Sequence, residues 1–187
     1  ANGTMSSFSG WGPTDDGRIK PDLTAPGAAV TGGRSGPNSL FGNIDSVHRH
    51  STGTSHAAPQ VAGAAALFTG WWKGAHGGDL PSPAMIKAAL VNGAVEMTGA
   101  GATLPIPNGS EGWGRIHLEN SLGSGVTRER FDEPVLLDDP GDEQTDTFGF
   151  LGPGTFRVRL WDNRPDSPTY GATQSITGGE AAPRAVT

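Results

Sequence analysis

Residues 53–67 read "GTSHAAPQVAGAAAL", and the interpretation of this stretch decides the fold. A glycine, two hydroxyl side chains and a histidine lead into a run of small apolar residues. From Ser55 to about Trp72 apolar groups fall on nearly every face, and Lys73-Gly74 offers an exit, which predicts a helix. A helix that is apolar all round belongs inside a protein. With a start near Ser55, Pro59 falls in the first turn, where its missing N–H costs little. Ser55 then has two readings. One is an N-cap, the commonest job of a serine at a helix start. The other is a nucleophile. The first turn would put backbone N–H groups and the positive end of the helix dipole beside a developing oxyanion. Gly53 would admit a substrate backbone, and Thr54 would add a second hydroxyl.

The surroundings narrow the choice of function. The chain has 187 residues, a formal charge of −6 and a sequence pI of about 5.2, so no basic footprint points to nucleic acid or an anionic membrane. It has no cysteine, which excludes disulfides and thiolate metal sites. No run of eighteen apolar residues is present, so nothing spans a bilayer as a helix. The first ten residues lack the basic and apolar regions of a signal peptide. Thirty glycines and fifteen prolines lie mostly between periodic apolar segments, the mark of a loop-rich globular protein.

Upstream, "DDGRIKPDLTAPG" (15–27) reads as a turn at Asp16-Gly17, an extended piece and a stop at Pro26-Gly27. Short strands are expected at 28–30 and 46–52. Downstream, "SPAMIKAALVNGA" (82–94) has Ser82 as N-cap, Pro83 at N1 and Gly93 near the C-cap. Its expected apolar stripe is Ala84, Met85 or Ile86, Ala89 and Leu90. "GWGRIHLENSL" (112–122) reads as a turn entering a short helix. Beyond Gly123 the pattern becomes β, with strands expected at 134–137, 146–151 and 155–161 and none closing the polar end.

"GTSHAAPQVAGAAAL" resembles the nucleophile segment of subtilisin-like serine proteases, G-T-S-x-A-x-P followed by a small-residue helix. Five matched positions have a chance probability on the order of 10⁻⁶ per start point at average residue usage. "FSGWGPTDDGRIKPDLTAPG" (8–27) is similar to that family's F-S-x-x-G-P…K-P-D-x-x-A-P-G segment, and 82–94 and 112–122 to its closing helices. The resemblance covers about residues 5–122. It implies an α/β fold: residues 1–122 as the C-terminal part of a three-layer catalytic domain, and 123–187 as a truncated β-sandwich or barrel domain. It implies a serine endopeptidase that hydrolyses protein or peptide substrates through an acyl-enzyme on Ser55. The Ser55 N–H and the Thr54 hydroxyl would serve the oxyanion, with Gly53 beside the substrate. His56 stands where the family most often has methionine. Being next to Ser55 on a helix, it points about 100° away and reads as pocket wall rather than general base.

The triad Asp and His have no matching motif among Asp15, Asp16, Asp22, Asp45, His48 and His50. They are expected upstream of residue 1, in a missing N-terminal part that would be this chain's partner. The chain alone is then expected to be inactive; in subtilisin, removing the base costs about 10⁶ in kcat. The alternative is a degenerate or fragmentary protease acting as a structural or binding partner, and a third reading is a β-rich binding module at 123–187. His48 and His50 share a strand face and with Asp45 form a metal-ligand candidate, ranked behind surface histidines. The acidic run "DDPGDEQTD" (138–146) lacks the spacing of a calcium loop, so a solvated turn ranks ahead of structural calcium. No cofactor is required. The family implies secretion.

Overall fold

The computed structural model describes residues 3–34, 42–102, 105–123, 130 and 132, and the backbone of residues 146–147, 156–161, 173–178 and 185–186. The long helix α1 spans Thr54–Ala75, close to the expected range. Ala64, Phe68 and Trp72, spaced by four, form its buried stripe. Phe68 is fully buried and packs with Trp72, Met85 and Ala89, joined by the half-buried Trp71, Ile86 and Leu122. Trp72 also stacks on His76 at 3.7 Å between ring centroids, where the helix ends.

One expectation about this helix, the place of Pro59, is corrected. Among the described residues only one stripe is covered, and the flank bearing Ala62, Ala66 and Leu67 is exposed, Leu67 by 61%. Pro59 does not lie in the first turn. The helix starts at Thr54 behind Gly53, so Pro59 is its sixth residue, and the Ser55 carbonyl loses the helical N–H that residue 59 would otherwise donate.

Helix α2 spans Pro83–Gly93, and the hydroxyl of its N-cap Ser82 accepts from the Met85 N–H at 3.0 Å. The expected punctuation is present, with the C-cap at Ala94. The buried set is Met85, Ala89, Leu90, Val91 and Gly93; Ala84 is exposed. Helix phase is decided here by contact with the short helix α3, Leu118–Leu122, in the expected place. Gly93 lies so close to Ser121 that a Cβ would stand 2.5 Å from the Ser121 backbone nitrogen.

An antiparallel hairpin precedes α1: β1 (Val30–Gly33) pairs with β2 (His48–Ser51), with Thr31 opposite His50 and Gly33 opposite His48. Two crossing segments complete the frame. Arg115 exchanges backbone hydrogen bonds with Val95, while Thr24 bonds to Gly114 and Ile116. The fully buried Glu111 accepts from the Met97 N–H at 2.7 Å.

In the second half, β3 (Asp146–Thr147) pairs with β6 (Ala185–Val186), and β4 (Phe156–Trp161) with β5 (Thr173–Gly178), all antiparallel. Strand β4 matches its expectation closely; β3 covers the start of the strand expected at 146–151, whose residues 148–151 lie outside the described residues. The expectation that no strand follows is corrected by β5 and β6. Polar though "TQSITG" is, Thr173, Ile176 and Thr177 are β-branched and suit a pleated ladder. The strand expected at 134–137 and the acidic residues 138–145 lie outside the described residues.

Candidate active site

The site is the entrance to α1. Gly53 is the N-cap, with φ 154° and ψ 160°, a conformation that favours glycine. No side chain caps this end. Thr54 and Ser55 are therefore the first two helical residues, and the first N–H groups of a helix have no intrahelical acceptor. The reading of Ser55 as an N-cap is corrected: Gly53 holds that position. The Ser55 side chain is exposed, and its hydroxyl forms no hydrogen bond among the described residues.

Two hydrogen bonds fix this entrance against the Pro26–Gly27 turn, and two more brace it internally. The Gly53 N–H donates to the Gly27 carbonyl at 2.8 Å, and the His56 N–H donates back to the Gly53 carbonyl at 3.0 Å. Gln60, one turn on, donates from Nε2 to the carbonyls of Pro26 and His56. Gly27 is required by proximity, since a Cβ there would lie 2.9 Å from the Gly53 carbonyl oxygen. Sequence reasoning passed over Gln60. Its signal was a single amide in the otherwise small and apolar start of a helix, where it reaches backbone carbonyls of the neighbouring turn. Ahead of the site, the Thr52 hydroxyl accepts from the Ala29 N–H at 2.9 Å. The nucleophile candidate thus stands between two anchored turns.

The acid and base candidates are placed elsewhere. Asp16 pairs with Arg18 at 2.8 Å; hydrogen bonds from Thr14 and Arg18 hold its carboxyl down at about 2. Asp22 lies between Lys20 and Lys87, 2.5 and 2.9 Å from their Nζ atoms. Burial alone would raise its carboxyl, yet the two lysine hydrogen bonds outweigh that and hold it below the usual carboxylate range. Burial lowers Lys87 despite the same partner. Asp45 bonds to His48, and His50 Nδ1 lies 3.2 Å from Thr31 Oγ1. Among the described residues neither a histidine nor a carboxylate is hydrogen-bonded to the Ser55 hydroxyl. His56, half-buried beside Ser55, is likewise without a hydrogen bond to it.

Chemically, the arrangement offers an exposed hydroxyl, unpaired N–H groups and a rigid helix start, which suits attack on an electrophile and reception of an oxyanion. Among the described residues no proton acceptor is hydrogen-bonded to that hydroxyl. Among the described residues no group of three or more ligating side chains is close enough to hold a metal ion, and no helix is long and apolar enough to cross a membrane.

Comparison with known proteins places the same segment in context. Residues 1–125 match the subtilase family. The Dictyostelium discoideum serine protease/ABC transporter B family protein tagA is 34% identical over 135 residues, covering 63% of this chain and 7% of its own length. The Arabidopsis thaliana subtilisin-like protease SBT6.1 is 35% identical over 124 residues, covering 63% of this chain and 10% of its own. The solved structure of the Clostridium perfringens CspB protease aligns with a TM-score of 0.51 at 27% identity, covering 69% of this chain and 26% of that one. The chain therefore spans about a tenth or less of the length of these curated relatives.

Proposed function

Because the chain belongs to the subtilase family of serine proteases, we propose that Ser55 is the acylating nucleophile of an endopeptidase acting on protein or peptide substrates. The observation that carries this is the placement of an exposed, unbonded hydroxyl as the second residue of a 22-residue helix behind a glycine cap. Ser55 Oγ attacks the peptide carbonyl. The Ser55 N–H and the Thr54 hydroxyl receive the oxyanion, and Gly53 lets the substrate backbone lie close. The leaving amine departs with the proton taken from Oγ, and water then hydrolyses the acyl-enzyme.

A histidine must take that proton, and an Asp must orient the histidine. We assign both to polypeptide other than this chain, because none of its described histidines reaches Ser55. The isolated chain is then inactive. An extracellular location belongs to the same proposal, and fractionation of the source culture tests it.

A second reading follows from the same gap: a fragmentary protease that serves as a structural or binding partner, its exposed α1 flank covered by another polypeptide. A fluorophosphonate separates the two. Labelling of the full-length protein, abolished by Ser55→Ala, supports the enzyme. A folded full-length protein that takes up no label supports the second reading and removes the first.

A further inference from the structure

The β1–β2 hairpin carries two imidazoles that the proposed acyl transfer does not use. His48 and His50 are two apart on β2, so their side chains share one face about 7 Å apart along the strand, and both are exposed. Arg49, between them, belongs to the other face. In each ring Nδ1 is already engaged. His48 Nδ1 lies 2.8 Å from Asp45 Oδ2, and His50 Nδ1 lies 3.2 Å from Thr31 Oγ1.

Asp45 is held firmly. Its Oδ1 accepts from the backbone N–H groups of Val47 and His48 at 2.8 and 2.7 Å, and these bonds together with His48 keep its carboxyl low, at about 2. A carboxylate at Nδ1 selects the tautomer whose Nε2 lone pair faces away from it. The residue opposite His48 is Gly33, which has no side chain to cover that ring. Metal-binding histidines use this arrangement: the inner N–H goes to a carboxylate or other acceptor and the outer nitrogen goes to the ion.

We propose that His48 and His50 bind one zinc ion through their Nε2 atoms, with water at the remaining positions and Asp45 and Thr31 orienting the rings. This alters the part expected of Asp45. Its oxygens are taken by two N–H groups and an imidazole, so it acts behind the ligands rather than among them. With two protein ligands the site is open and exchangeable, unlike closed four-ligand structural sites. Imidazole also suits copper, which makes Cu²⁺ a useful spectroscopic stand-in. The Arg34 guanidinium, 3.3 Å from the Asp45 carbonyl, is a positive charge on the same hairpin and restrains affinity. The strand that carries the ion runs directly into Gly53 and Ser55. The binding claim itself does not rest on the protease reading.

The test is calorimetric titration of the full-length protein with Zn²⁺, using His48→Ala/His50→Ala and Asp45→Asn variants. Circular dichroism verifies that each variant is folded, and a His56→Ala/His76→Ala/His117→Ala variant serves as control. The expected result is saturable one-to-one binding that persists in the control and disappears in the His48/His50 variant. Asp45→Asn weakens it about 10–100-fold, the usual cost of removing an orienting partner. Zn²⁺ should also shift the ring proton resonances of His48 and His50 in the unmutated protein, and Cu²⁺ should show two bound nitrogens by electron paramagnetic resonance. Binding that survives loss of both histidines, no saturable binding in the unmutated protein, or shifts confined to other histidines overturns the proposal.

Discussion

Asp132 grips both the backbone N–H and the hydroxyl of Ser82, at 2.6 and 2.5 Å. Ser82 in turn caps α2, so a residue beyond the family-matched segment 1–125 holds the start of a helix within it. Arg130 belongs to the same clamp. Its Nη2 donates to the Ser121 carbonyl at 2.6 Å and its guanidinium lies 4.9 Å from the Trp71 ring centroid.

Asp132→Ala is therefore expected to lose about 1.5–3 kcal/mol, the range for hydrogen bonds to a charged group. Ser82→Ala also removes the cap, worth about 1 kcal/mol. Urea denaturation of both single variants and the double should show less than additive losses, since the two residues share bonds. Strict additivity would sink the clamp.

Gly53→Ala forces a side chain into a φ of 154°, a strain of about 1–3 kcal/mol, and should reduce fluorophosphonate labelling of Ser55 in the full-length protein. Gly27→Ala should do the same by pushing against the Gly53 carbonyl. Gly70→Ala, in the middle of α1 with open space around its Cβ position, should instead add roughly 0.5–1 kcal/mol. Thermal melts with a labelling assay read all three.

Phe68→Ala should cost about 3–5 kcal/mol, because a fully buried ring leaves a cavity. Leu67→Ala, next to it and mostly exposed, should stay within about 0.5 kcal/mol in this chain. A large loss at Leu67 in a complex with the His- and Asp-bearing polypeptide proposed above, but not in this chain alone, would reveal that its flank is covered there.

Asp22→Asn should destabilise by about 1.5–3 kcal/mol near neutral pH, with Lys87 left half-buried beside an amide. The folded carboxyl titrates below its ordinary value of 3.8. Its contribution is thus present above that pH and is lost as pH falls through the lowered value. Melting temperatures of the two proteins should converge as pH drops below about 4. A constant gap across that range would refute the ion pair.

Much of this was legible beforehand. Ser82 and Pro83 announce α2 because capping and proline chemistry are local, and Ser55 is singled out by its neighbours in the chain. What escaped depends on distance. The true start of α1 rests on a backbone angle at Gly53 set by the Gly27 carbonyl. Of the expected stripe Met85, Ala89 and Leu90 are buried, while Ala84 gave way to Val91 because Gly93 meets Ser121. Strand β5 is polar, and only its partner β4 makes its β-branched residues informative. Asp45 reads as a ligand until its oxygens are seen to serve the two N–H groups that follow it.

The hydrogen bond between Gly27 and Gly53 has an evolutionary corollary. It cinches the chain at both ends of residues 28–52, so that this whole excursion leaves and returns at one point beside the entrance to α1. Doubling the length of a flexible excursion costs only about 0.6 kcal/mol. Descendants of this sequence can therefore trade one excursion for another, altering what lies around Ser55 without moving it.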